Sequence, residues 1–297
     1  MRWLFLLCTF ALSLPAAAAI NVFACEPEWA ALAQELGGDK VSTISATTAF
    51  QDPHHIEARP SLIARIRSAD LVVCSGSELE IGWLPLLLTQ SGNGRVQPGS
   101  PGYIEASQYV AKLEVPRAID RSMGDVHPGG NPHIHTDPRN IAKVAGVLAE
   151  RLAQIDGANA ATYRSRGQAF EQRWKEAIAR WEQQAARLRG VPLVEHHKGF
   201  TYLVNWLGMR DVGDLEPKPG IPPTTSHLAQ LVDQMKQAPA KMIVYSSYDD
   251  PKAAQFLSQR TGIPSVMLPF TVGGSDKAKD LFGYFDDVIA RLTGPLQ

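Results

Sequence analysis

Apolar positions along this chain fall into short blocks that alternate between two periods. Asn21–Cys25, Val41–Ser45 and Asp70–Cys74 are apolar or β-branched runs of strand length and predict three strands. Between them, Pro27–Leu36 and Arg59–Ser68 space their apolar residues as helices do, and the first stops at Gly37-Gly38. Strand and helix in alternation predict βαβ units and a parallel sheet. Two helical stretches follow. Asn140–Ile155 places Ile141, Val144, Val147, Leu148 and Leu152 at helical spacing. Ala158–Leu188 is long, charged and free of proline. At 1.5 Å per residue that stretch would run about 45 Å, enough to cross between two lobes, with a two-helix hairpin as the alternative. The alternation then resumes, with strands at Val191–Val194, Lys241–Tyr245 and Ser265–Phe270 and helices at Gly199–Leu207, Pro251–Thr261 and Asp276–Leu292. Ser275 reads as the N-cap of the last helix. Glu216–Thr225 holds four prolines in ten residues and reads as a surface loop able to move over a site.

The N-terminus is of a different kind. Residues 1–19 carry Arg2, an apolar stretch and then small residues ending Ala17-Ala18-Ala19, the pattern of a cleavable secretory signal. Cys8 lies within the apolar stretch, not in the small-residue setting of a lipid anchor, so the expected product is a soluble exported protein. No later run is apolar over the roughly 18 residues of a membrane span. The expected organisation is a signal at 1–19, an α/β lobe at 20–157, a linker helix at 158–189 and a second α/β lobe at 190–297. Loss of the signal removes Cys8 and leaves Cys25 and Cys74, each at the end of a predicted strand. An oxidising compartment would favour a bridge between them, and two buried thiols are the other reading.

Charge changes the picture mainly by exclusion. The 297 residues hold 29 Lys and Arg against 30 Asp and Glu, which argues against a nucleic-acid partner held through bulk charge. The histidines are more informative. Seven of the eight fall in three clusters: His54 and His55; His127, His133 and His135; His196 and His197. All three clusters lie at strand ends or in Pro/Gly-rich loops, where a parallel α/β fold gathers its ligands. Imidazoles from distant segments predict a metal site assembled by folding, and the absence of CxxC pairs and of HExxH argues against a structural zinc knot or a zincin.

Particular residues then carry a resemblance. Asp52-Pro53-His54 running on to Pro60-Ser61, Ala69–Val73, Glu78-Leu79-Glu80, Asn131-Pro132-His133, and His197-Lys198 followed by Tyr202-Leu203 and Leu207-Gly208 resemble, in order, the cluster A-I metal-binding receptors of ABC importers, the ZnuA- and TroA-like proteins. The resemblance implies a TroA-like fold of two lobes on one long helix, with metal in the cleft and His54, His133 and His197 as ligands. Relatives often add an acidic residue after the last strand; Asp276 is the expected counterpart here and Asp280 the alternative. Both also suit a helix N-terminus, where a carboxylate offsets the dipole. His55, His127 and His135 are candidates for secondary metal contacts. Three imidazoles and one carboxylate suit tetrahedral zinc better than manganese, which takes more oxygen ligands. The implied function is a periplasmic, non-enzymatic, monomeric zinc receptor that delivers Zn²⁺ to a membrane permease, with a metallochaperone as a further candidate partner. A manganese or other divalent-metal receptor of the same type is the alternative, and a secreted zinc hydrolase, with Glu195 or Glu57 as base, is the rival from another class.

Overall fold

The structure, a computed structural model, describes residues 19–118 and 123–296. The expected signal segment, with Cys8, therefore lies almost wholly outside the described residues. Two four-stranded parallel sheets organise the chain. The first contains β1 (Ile20–Ala24), β2 (Val41–Ser45), β3 (Leu71–Cys74) and β4 (Tyr103–Glu105) in the order β2-β1-β3-β4. The second contains β5 (Pro192–Glu195), β6 (Arg210–Asp214), β7 (Met242–Ser246) and β8 (Ser265–Leu268) in the order β6-β5-β7-β8. The two orders are the same pattern used twice. In each, the inner strands are almost wholly buried and the edges partly exposed, as helices packed on both faces require. All sheet pairings are parallel, so the strand C-termini of each sheet share one edge.

The helices are α1 (Pro27–Gly37), α2 (Pro60–Ser68), α3 (Leu84–Ser91), α4 (Pro138–Ile155), α5 (Ala160–Gln184), α6 (Thr201–Leu207), α7 (Thr225–Gln237), α8 (Lys252–Thr261) and α9 (Leu281–Thr293). Proline opens α1, α2 and α4, where its missing N–H and fixed φ cost nothing. Helices α2 and α3 cover the outer face of the first sheet, and α7 and α8 that of the second. Residues of α1, α4, α5, α6 and α9 join the inner faces of both sheets in one continuous core. Along α5, Phe170, Trp174 and Trp181 pack edge-on or tilted against Phe282 and Phe285 of α9, while α5 also packs on α1 and α4, so the long helix is anchored in both halves.

Several sequence expectations need correction. The long helix covers 25 residues, about 37 Å at the standard rise, with single 3₁₀ turns at either end where 158–159 and 186–188 were expected to continue it. It also packs along α4, so hairpin and connector are both present. The last helix starts at Leu281: Ser275 closes a turn by accepting from Ala278 N at 3.2 Å, and Asp280 is the N-cap, accepting from Gly283 N at 2.8 Å. Strands β4 and β6 and helices α3 and α7 are unanticipated. Cys25 and Cys74, at the ends of adjacent β1 and β3, form a disulfide with Cα atoms 4.8 Å apart.

Candidate metal centre

Three histidines meet where the two sheet edges face each other. His54 comes from the loop after β2, His133 from the turn preceding α4, and His197 from the residues just after β5. One ring nitrogen from each lies within 4.8 Å of the other two. Ring centroids stand 5.2 Å apart for His54–His133, 5.4 Å for His54–His197 and 5.5 Å for His133–His197. The Nε2 atoms of His133 and His197 are 3.4 Å apart. Two nitrogens on a tetrahedral zinc, at about 2.05 Å each, would sit roughly 3.3 Å apart.

Each histidine-bearing loop is fixed by its own bonds. Asp52 Oδ1 accepts from His54 N at 2.9 Å and lies 2.7 Å from His54 Nδ1. A proton on Nδ1 leaves His54 Nε2 with a free lone pair, and that atom is buried with no hydrogen-bond partner. Trp83 Nε1 donates to Pro53 O at 2.9 Å and holds the same loop from below. Glu216 Oε2 stands 2.8 Å from His197 Nδ1 and aims His197 Nε2 at the centre in the same way. Asn131 ties the loops together: its Oδ1 accepts from His133 N at 3.0 Å, and its Nδ2 donates to Lys198 O at 2.8 Å. Phe270 forms the floor, edge-on to His133 at 5.2 Å.

Burial and charge divide the protonation states. Burial, then the neighbouring imidazoles, hold the His133 pKa well below its usual value, so it is a neutral donor. Burial opposes charge on His197 too, but the hydrogen bond and charge of Glu216, with Asp249 and Asp52, outweigh it and raise its pKa. Asp52 is also buried, yet its bond to His54 and the His54 charge bring it down to about 2. An adjoining cavity of about 190 Å³ is lined by Asp52, Asp125, Glu216, Asp249 and Asp250 beside His54 and His197. Lys198, next to His197, is drawn away by Asp211 at 2.7 Å and Asp214 at 3.3 Å. The local field therefore favours a cation although the whole chain is near neutral.

The remaining expected residues are distributed differently. Asp276 is exposed and stands outside the histidine cluster, and Asp280 spends its carboxylate on capping α9. The physical reason is the late start of α9, which leaves 272–280 as a turn and loop. His55 is mostly exposed and faces Asp125 at 4.0 Å. His135 is buried behind the cluster, with Nε2 3.0 Å from Phe270 O and Nδ1 3.2 Å from Glu28 Oε1, so both nitrogens face protein groups. His127 lies against His54 with ring centroids 5.3 Å apart, and burial, then His54 and His197, lower its pKa to about 4. His196 is buried in the C-terminal half, and Glu195 accepts from Phe200 N at 3.0 Å, a structural role. Glu57 is exposed. Sequence reasoning missed Glu216, Asn131 and Phe270 as positioning residues. Asn131 could have been found from its place two residues before His133, an Asx-turn setting.

The profile of the ZnuA family, described as zinc-uptake complex component A, periplasmic, matches residues 22–293. The zinc-binding lipoprotein AdcA of Streptococcus pneumoniae serotype 4 is 22% identical over 246 residues, 79% of this chain, which spans only 46% of that relative's length. The manganese ABC transporter substrate-binding lipoprotein scaA of Streptococcus gordonii is 22% identical over 276 residues, 90% of this chain and 84% of the relative. A crystal structure of ZnuA superposes with a TM-score of 0.76 at 21% identity, covering 92% of this chain and 99% of the other, which shows the common fold. Among the described residues no helix is long and apolar enough to cross a membrane. The match over nearly the whole chain, on two parallel sheets that bring three imidazoles together, makes this protein a member of the ZnuA family of metal-binding receptors for ABC importers, which are carriers of their ligand and not enzymes.

Proposed function

We propose that this protein is an extracytoplasmic zinc receptor whose primary ligands are His54, His133 and His197. The observation that carries the reading is the convergence of three imidazole nitrogens, with a 3.4 Å Nε2–Nε2 separation close to a tetrahedral zinc edge. No carboxylate belongs to that cluster, and a nitrogen-only set favours zinc over oxygen-seeking manganese. Residues 1–19 export the chain and are cleaved, and the acidic vestibule draws Zn²⁺ toward the imidazoles. Binding at His197 Nε2 displaces the proton there, which the Glu216 charge favours by stabilising the imidazolium, while Nδ1–H stays bonded to Glu216. The loaded receptor docks as a monomer on its permease, and a metallochaperone is a second partner compatible with this role. A competition titration with a chromogenic chelator tests the assignment. His54→Ala, His133→Ala and His197→Ala should each weaken zinc binding by at least about 100-fold, more than an outer-shell change costs. Unchanged affinity in all three would remove the assignment.

A further inference from the structure

Three imidazoles leave a tetrahedral ion one position short; in this structure Asp276 lies outside the cluster and Asp280 caps α9. A further imidazole, His127, stands beside His54, with its ligand nitrogens outside the set of three that lie within 4.8 Å of one another, so it would have to close in on the ion. Its ring lies 5.3 Å from that of His54, and its Nε2 is buried with no hydrogen-bond partner. A cavity of about 70 Å³ is lined by His127, His133 and His197 together. The other side of the ring faces the backbone of Ser77 and Glu78, which favours the protonated ring. Because Nε2 has no partner, that backbone falls to Nδ1, and backbone that favours the protonated ring is met by Nδ1–H. That arrangement fixes the tautomer and leaves the Nε2 lone pair free, as Asp52 does for His54 and Glu216 for His197.

The segment that receives His127 is unusual. Gly76, Ser77 and Glu78 have φ of 78°, 52° and 67°, three consecutive residues in the left-handed region. Non-glycine residues rarely adopt it, and such backbone tends to be retained at functional sites. The His127 loop is held on its other flanks by Gly130 N to His127 O at 3.0 Å and by Asp125 N to Pro219 O at 2.8 Å. Asp249, an acidic residue of the adjoining cavity, has Oδ2 occupied by Ser246 N and Oγ, both at 2.7 Å.

We propose that His127 is the fourth nitrogen ligand, so that the ion sits among four imidazoles, one of them delivered by the loop between β4 and α4. This rests on the zinc-receptor reading above. The direct test needs no substitution: the mature protein, labelled with ¹⁵N-histidine and loaded with ¹¹³Cd²⁺, should show cadmium coupled to four imidazole nitrogens, and three would overturn the proposal. Substitution gives a second readout. His127→Ala and the bulkier His127→Gln should weaken zinc binding by at least roughly 10–100-fold. With Co²⁺ in place of zinc, both variants should acquire a new absorption band on adding azide, which the wild type lacks. Wild-type affinity and spectra in both variants, or a loss confined to Asp249→Asn, would overturn it. Failure of the zinc reading itself is distinguishable, because then the wild type, and not only the His127 variants, would bind zinc weakly.

Discussion

At the scale of single residues, the site works through carboxylates that aim imidazoles. Glu216 both orients His197 and raises its pKa. In the apo protein a raised histidine pKa contributes stability that is complete below the unfolded value, near 6.5, and is lost as pH rises through the folded value. For zinc the same proton is a competitor, so affinity should fall about tenfold per pH unit below the raised His197 pKa. Glu216→Gln removes the charge that holds the proton, leaving burial to push the pKa down. Its affinity should be about 10–100-fold weaker than wild type at pH 8, and the gap should narrow as pH falls toward 6. Chelator competition at several pH values checks this, and a gap that widens on acidification would contradict the assignment. The histidines were legible because clustering is unusual and imidazole chemistry is specific. Glu216 was not, because it lies in a proline-rich loop 19 residues from its partner, and only the folded loop brings them together.

At the scale of elements, the disulfide couples the two strands that carry the first sheet. Cys25 and Cys74 close a loop with a sequence separation of 49, and Cys25 N also donates to Val73 O at 2.9 Å. Restriction of the unfolded chain by a loop of that size is worth about 4 kcal/mol in the loop-entropy account. The double variant Cys25→Ala, Cys74→Ala should lose roughly 2–4 kcal/mol of unfolding free energy in urea, with no change attributable to a lost hydrogen bond. A loss well below 1 kcal/mol would mean that packing of the neighbouring Leu62, Ile66 and Trp83 already fixes the strands. The inner strands were readable as continuous apolar runs because both faces are covered. The edge strand β6, Arg210–Asp214, was not, since it is polar, contains Gly213 and is only partly buried. Strand β4 is three residues long, too short for any period to register. Helix α7 is a different matter: Leu228, Leu231, Val232 and Met235 do have helical spacing, masked by the proline run that immediately precedes them.

At the scale of the whole molecule, the question is what moves when the ion arrives. One apolar core runs from the inner face of the first sheet through α1, α4, α5, α6 and α9 to the second sheet. Directly behind the histidines, the halves are also stitched by polar bonds: Thr271 Oγ1 to Glu28 Oε2 at 2.6 Å, His135 Nε2 to Phe270 O at 3.0 Å, and Ser247 Oγ to Ala49 O at 2.6 Å. A hinge opening would break these bonds and expose close-packed apolar surface at about 25 cal/mol per Å². The loops over the cluster are held far less. The segment around Asp125 meets the proline-rich loop through Asp125 N to Pro219 O, and Gly220 N donates to Glu216 Oε2 at 2.8 Å. Few buried apolar contacts and exposed backbone bonds mark such segments for low-energy opening. Zinc loading should therefore leave the radius of gyration unchanged within roughly 1 Å by small-angle scattering, since the covalent path along α5 and the shared core stay intact. Amide exchange should instead slow by about tenfold or more in residues 113–118, 123–131 and 216–222, the energetic equivalent of roughly 1.4 kcal/mol. The permease would then read the order of those two loops, and not the angle between the lobes. A large change in the radius with uniform exchange would assign the signal to lobe rotation and would require the Glu28–Thr271 and His135–Phe270 bonds to break on every cycle.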